Sequence, residues 1–134
     1  QNLIPKSQLL SIQPGTIVAL AFDTDVNQTT NLKKNLELLK RYCGKVRIVY
    51  LPQVRNLEDE LCRCTDVKNV MSLTRSNSIK NFKTDFCKMK PRDCRAMLER
   101  HGLKYDRLWM TKVPEEFSFV ENNAFQVVLG KNET

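Results

Sequence analysis

Histidine, tryptophan and glycine are scarce in this chain, with one His, one Trp and four Gly among 134 residues. The only histidine, His101, precedes Gly102 at the end of a helical pattern, where a cation interacts well with the helix dipole. It reads as a capping or surface residue rather than as half of a Cys/His nucleophile. So few glycines leave no glycine-rich phosphate loop. No apolar run approaches the length that crosses a bilayer, and no secretory leader is apparent. The five cysteines (43, 62, 64, 87 and 94) are odd in number and lie inside amphipathic segments. They predict reduced thiols in a cytoplasmic protein without a membrane partner. Cys62 and Cys64 lack a second Cys or His pair at zinc-finger spacing, which argues against a zinc site. Internal repeats and low-complexity tracts are also missing. Gln1 stands where an initiator Met would, and residues 1–13 are weakly patterned, so an N-terminal part is expected to precede this sequence.

What is present is ordinary globular material, 41% hydrophobic and 28% charged, in a length that supports one domain. Charge is segregated along it. Residues 62–112 hold 13 Lys/Arg against five Asp/Glu, a net of +8, out of +7 for the whole chain. A basic region of this size fits a polyanionic partner such as nucleic acid. Lys80, Lys83, Lys88, Lys90 and Arg92 are its best phosphate-contact candidates, and solvated helical faces are the competing reading.

The spacing of apolar residues predicts an α/β fold. Pro14 and Gly15 form a turn that launches a strand over 17–22, whose unbroken apolar run reads as buried on both faces of a parallel sheet. Thr30 or Asn31 caps a helix presenting Leu32, Leu36, Leu39 and Tyr42 on one face and ending at Gly44. A second apolar run over 46–51 is stopped by Pro52. Strand, helix and strand in this span make a βαβ unit with parallel strands. Beyond it the pattern turns helical and basic: a helix opening at Asn56, one capped by Asp66 with Val67, Val70, Met71 and Thr74 in line, one preceded by Ser78, and one opening at Pro91 and closed by Gly102. Phe82 and Phe86 fall on a buried helix face, and Trp109 reads as core. Residues 125–129 suggest an edge strand. The organisation expected is an N-terminal segment 1–14, a βαβ core 15–65, a basic helical region 66–112 and a C-terminal segment 113–134.

The chemistry-bearing feature is Asp23-Thr24-Asp25 at the carboxyl end of the first strand. Open α/β sheets bind ligands at that edge. Two hard oxygen ligands suit magnesium, which keeps several waters and needs only one or two protein carboxylates plus phosphate oxygens. Glu58, Asp59 and Glu60 follow the second strand by a short loop. In a parallel sheet that loop emerges at the same edge, so Glu58 is a candidate third metal ligand. Acids in a first helical turn are equally explained by the dipole.

An apolar strand ending in Asp-x-Asp, then a helix and a parallel strand, resembles the Toprim domain of topoisomerases, primases and small nucleases. The likeness spans about residues 15–65. It implies that Asp23 and Asp25 bind magnesium or manganese for phosphodiester chemistry on nucleic acid, in a nuclease or a nuclease-derived part of a larger assembly. The family also uses a Glu after an earlier strand, which here would lie before Gln1; without it, a non-catalytic binding or regulatory module is implied. Phe22 to Val26 also resembles the first motif of haloacid-dehalogenase-like phosphatases, which implies Asp23 as nucleophile and Asp25 as general acid/base. That family takes a Ser or Thr at the end of the next core strand, where this chain has Leu51 and Pro52.

Overall fold

The computed structural model describes residues 2–25 and 29–129. It is a small α/β fold whose elements run α1 (Lys6–Ser11), β1 (Ile17–Asp23), α2 (Thr30–Tyr42), β2 (Arg47–Gln53), α3 (Leu57–Cys64), α4 (Met71–Thr74), α5 (Ile79–Lys88), α6 (Pro91–Arg100), a 3-10 segment (Glu115–Val120) and β3 (Phe125–Gln126). The three strands form a parallel sheet in the order β1-β2-β3. The chain divides into two compact units, Gln1–Asn56 with Trp109–Val127, and Leu57–Leu108 with Val128–Thr134. The divisions thus fall at 56/57, 108/109 and 127/128.

In the first unit Gly15 has φ of 85° and follows Pro14, and the Thr16 N–H donates to the Gln13 carbonyl at 3.2 Å. Pro at the first central position and a left-handed Gly at the second make a type II turn. The turn delivers β1 alongside β2 in a register from Ile17 opposite Arg47 to Asp23 opposite Gln53. Leu20, Phe22, Ile48 and Tyr50 point into one core with Leu9 of α1, Leu32, Leu36 and Leu39 of α2, and Phe117 and Val120 of the 3-10 segment. Phe117 stacks on Phe22 with ring centroids 5.7 Å apart. Each side chain buried there contributes about 1.5–3 kcal/mol.

The expectation that β1 is buried on both faces is corrected: Ile17, Ala19 and Ala21 are exposed. Both helices and the 3-10 segment pack into the core on the Leu20 and Phe22 face, so only alternate residues of the apolar run are covered. Other corrections are local. The N-cap of α2 is Thr29, without a side-chain cap bond, and its C-cap is Cys43. Tyr42 is exposed, and Gly44 is not among the left-handed glycines. Strand β2 does not stop before Pro52 but runs through it to Gln53. The Tyr50 carbonyl accepts from Val127 on the β3 side. Pro52, two residues on, turns its missing N–H toward that same side, past the end of the two-residue β3, so no ladder bond is lost. The weakly patterned N-terminus forms α1, and Asn35, which is buried, ties that segment down. Its Oδ1 accepts from the Ile4 N–H at 2.8 Å and its Nδ2 donates to the Asn2 carbonyl at 2.9 Å.

The second unit has its own core of Leu61, Val70, Leu73, Phe82 and Met97. Ser78 caps α5 by accepting from the Asn81 N–H at 3.0 Å, as its sequence position predicts. Pro91 opens α6. Gly102, at φ of 77°, closes it: the Leu103 N–H reaches the Leu98 carbonyl and the Gly102 N–H the Glu99 carbonyl, the paired bonds of a Schellman end. Asp66 does not cap a helix. Helix α4 is the single turn Met71–Thr74, while the Asp66 carboxylate lies 3.7 Å from Lys104 Nζ and packs against the Gly102 Cα.

Candidate functional site

The acid pair sits where β1 runs out. Asp23 is the last strand residue, and both Asp23 and Asp25 are exposed, with Thr24 half-buried between them. The backbone behind them is fastened to the bend that follows β2. The N–H groups of Thr24 and Asp25 both donate to the Arg55 carbonyl, at 3.1 and 2.9 Å. In return the Arg55 N–H donates to Thr24 Oγ1 at 2.6 Å. Asn56 Nδ2 donates to Asp25 Oδ2 at 3.3 Å. This reciprocal lacing needs Arg55 at φ of 67°, a region that costs a non-glycine residue about 1–2 kcal/mol. The short Asp-Thr-Asp segment is therefore held by a strained turn. Residues 26–28 lie outside the described residues, so a loop between Asp25 and α2, which the sequence suggests over 26–30, is not described over that stretch.

Arg55 was not singled out by sequence reasoning, and Asn56 was read only as the opening of a helix. Their place just after a strand at the carboxyl edge was the available signal. The left-handed backbone of an arginine has none.

The acids after β2 have other work. Glu58 is half-buried in the first turn of α3, and Lys83 Nζ of the same unit lies 3.2 Å from its Oε1. Glu60 is fully buried, accepting from Arg63 Nη2 at 2.9 Å and from the Cys64 thiol at 3.2 Å. Burial, reinforced by the Glu60 carboxylate, pushes the Cys64 thiol up to about 12. Among the described residues, no three His, Cys, Asp or Glu side chains gather as a metal-holding group. Asp23 and Asp25 are two exposed carboxylates, two positions apart in the chain. That donor set fits a magnesium ion that keeps most of its waters and completes its shell with substrate oxygens.

The basic candidates are all exposed. Lys80, Lys83 and Lys88 lie on the half of α5 opposite the buried Phe82. Lys90 is the N-cap of α6 and Arg92 lies in its first turn. Among the described residues Lys83 is the candidate with a carboxylate beside it, Glu58. Phe82 is buried and stacks with Phe86 at 5.3 Å, as their spacing suggests. The five cysteines are free thiols. No helix among the described residues is long and apolar enough to cross a membrane. No family model, curated protein or solved structure matches the chain.

Proposed function

We propose that this chain is a Toprim-like, magnesium- or manganese-dependent module for phosphodiester hydrolysis of nucleic acid, with Asp23 and Asp25 as the metal-binding and catalytic carboxylates. The observation that carries this reading is the pair of exposed carboxylates at the carboxyl end of a parallel strand, on a backbone tied through Arg55 to the bend that follows the neighbouring strand. A cation there would supply charge stabilisation at the phosphoryl oxygens and a hydroxide nucleophile. The chain's own part is to bind and to orient. Asp23 and Asp25 offer hard oxygens from a fixed segment, which limits the reorganisation that ion binding requires. Lys80, Lys88, Lys90 and Arg92 provide exposed cations for phosphate contacts, whose attraction is independent of base sequence. Glu58 serves this reading less well than the two aspartates, because Lys83 already engages it.

The phosphatase alternative draws less support. The residue in register with Asp23 at the end of β2 is Gln53, which has no hydroxyl for a phosphoryl group. Incubating the protein with labelled single- and double-stranded DNA and RNA in magnesium tests the proposal. The wild type cleaves, and Asp23→Asn loses cleavage while retaining nucleic-acid affinity. Equal cleavage by the variant overturns the role of Asp23. Binding without cleavage by the wild type leaves the non-catalytic module, and robust turnover of p-nitrophenyl phosphate favours the phosphatase.

A further inference from the structure

The second unit contains a cavity of about 620 Å³ whose wall is drawn from α4, α5, α6 and the residues that end them. That volume is within the range of small-molecule sites, about 300–1,000 Å³. Its floor is apolar: Leu73 and Met97 are buried, and Met89 is half-buried beside them. Its lining also includes two exposed arginines, Arg75 and Arg100, together with the half-buried His101. Among the described residues, neither arginine has a carboxylate partner. Two exposed arginines and buried apolar side chains lining one cavity suit an amphipathic anion.

Arg75 ends α4 in the left-handed region, at φ of 56°, with the Ser76 N–H closing the helix on the Met71 carbonyl at 3.0 Å, so the helix stop places this residue at the cavity. The lining also includes one carboxylate, Asp85, whose Oδ2 accepts from Ser76 Oγ at 2.6 Å. The Ser76 proton is thereby spent, so in the 2.5 Å contact between Thr74 and Ser76 it is Thr74 that donates. This hydroxyl relay fixes Asp85 as an acceptor, which repels a second anion but receives N–H or O–H donors.

We propose that this cavity binds a nucleoside monophosphate unit. The phosphate meets Arg75 and Arg100, and the flat base lies on the Met89 and Met97 thioethers, which make favourable contacts with aromatic rings. An exocyclic amine or ribose hydroxyl donates to Asp85. The unit can come from a free nucleotide or from the 5′-phosphorylated end of a strand. The site does not depend on cleavage at Asp23 and Asp25.

Chemical-shift mapping on the intact chain tests this. Titration with adenosine monophosphate perturbs amides of 72–75, 85, 89 and 97–101, while adenosine and inorganic phosphate bind more weakly. Arg75→Ala and Arg100→Ala each weaken binding by about tenfold. Both side chains are exposed, so the fold survives their loss, and a circular dichroism spectrum verifies it. Asp23→Asn leaves the affinity unchanged, which separates this site from the acid pair. Competition by a 5′-phosphorylated oligonucleotide, but not by its 5′-hydroxyl counterpart, identifies a strand end as a source; competition by free nucleotides alone identifies the free ligand. An absence of saturable shifts up to about 10 mM, an affinity too weak for a formed site, overturns the proposal. So does equal binding by the doubly substituted protein.

Discussion

Cys64 should make the protein sensitive to alkali in a way that one substitution abolishes. Its thiol is buried against the Glu60 carboxylate, which raises it from an ordinary value of 9.0 to about 12. The folded state therefore holds the proton more tightly than the unfolded chain. The resulting stability is complete below pH 9 and is lost as pH rises toward the folded value. For these two values the contribution is nearly intact at about pH 8, and about 2 kcal/mol of it is gone by about pH 10.5. Other ionisable groups also contribute to the pH dependence, so the informative quantity is the difference between wild type and Cys64→Ala. Urea unfolding of both proteins, in reductant and at matched ionic strength, supplies it. The gap between them should narrow by about 2 kcal/mol across that interval, as the wild type alone loses the thiol's contribution. Parallel pH profiles would refute the claim that this proton is held by burial and Glu60. A companion measurement uses thiol reagents: exposed Cys87 reacts in the native state, whereas Cys64 waits for unfolding.

Three other expectations concern the scaffold and the basic helices. Gly102→Ala forces a side chain into the left-handed region, costing about 1 kcal/mol, and drives its Cβ into the Asp66 carboxylate. Asp66→Ala should recover the second part only, so equal costs in both backgrounds would show that no clash exists. Phe117→Ala removes the ring stacked on Phe22 from the first core and should cost about 3–5 kcal/mol, read as a shift in the urea midpoint. Replacing Lys80 and Lys88 together should lower the slope of log affinity against log salt by about two if each meets a phosphate. An unchanged slope returns them to solvated charges.

The parts of the fold that were legible in the sequence are those with long, regular patterns. The apolar runs at 17–22 and 46–51, the helical stripe through Leu32, Leu36 and Leu39, and the cap at Ser78 each specify their element locally. The covering of the sheet was not legible. Ile17, Ala19 and Ala21 are as apolar as Leu20 and Phe22, and only the packing of α1, α2 and the 3-10 segment on one face distinguishes them. Helix α1 spans six residues, too few for a periodicity to register, and α4 spans four. Pro52 reads as a stop, yet the shortness of β3 lets it sit within β2. At the site, Asp23 and Asp25 were visible because two carboxylates followed an apolar run. Their attachment through Arg55 was not, since it depends on main-chain groups and on a backbone angle that arginine rarely adopts. Glu58 was reachable by topology alone, whereas its ion pair joins residues 25 apart in the chain.

The account stands on Asp23 and Asp25 binding a divalent cation together. Electron paramagnetic resonance of manganese titrated into the wild type, Asp23→Asn, Asp25→Asn and the double variant measures this without any turnover. Saturable binding by the wild type, weakened in each single variant and lost in the double, is the expected result. Undiminished manganese binding by the double variant, or none by the wild type, would contradict it.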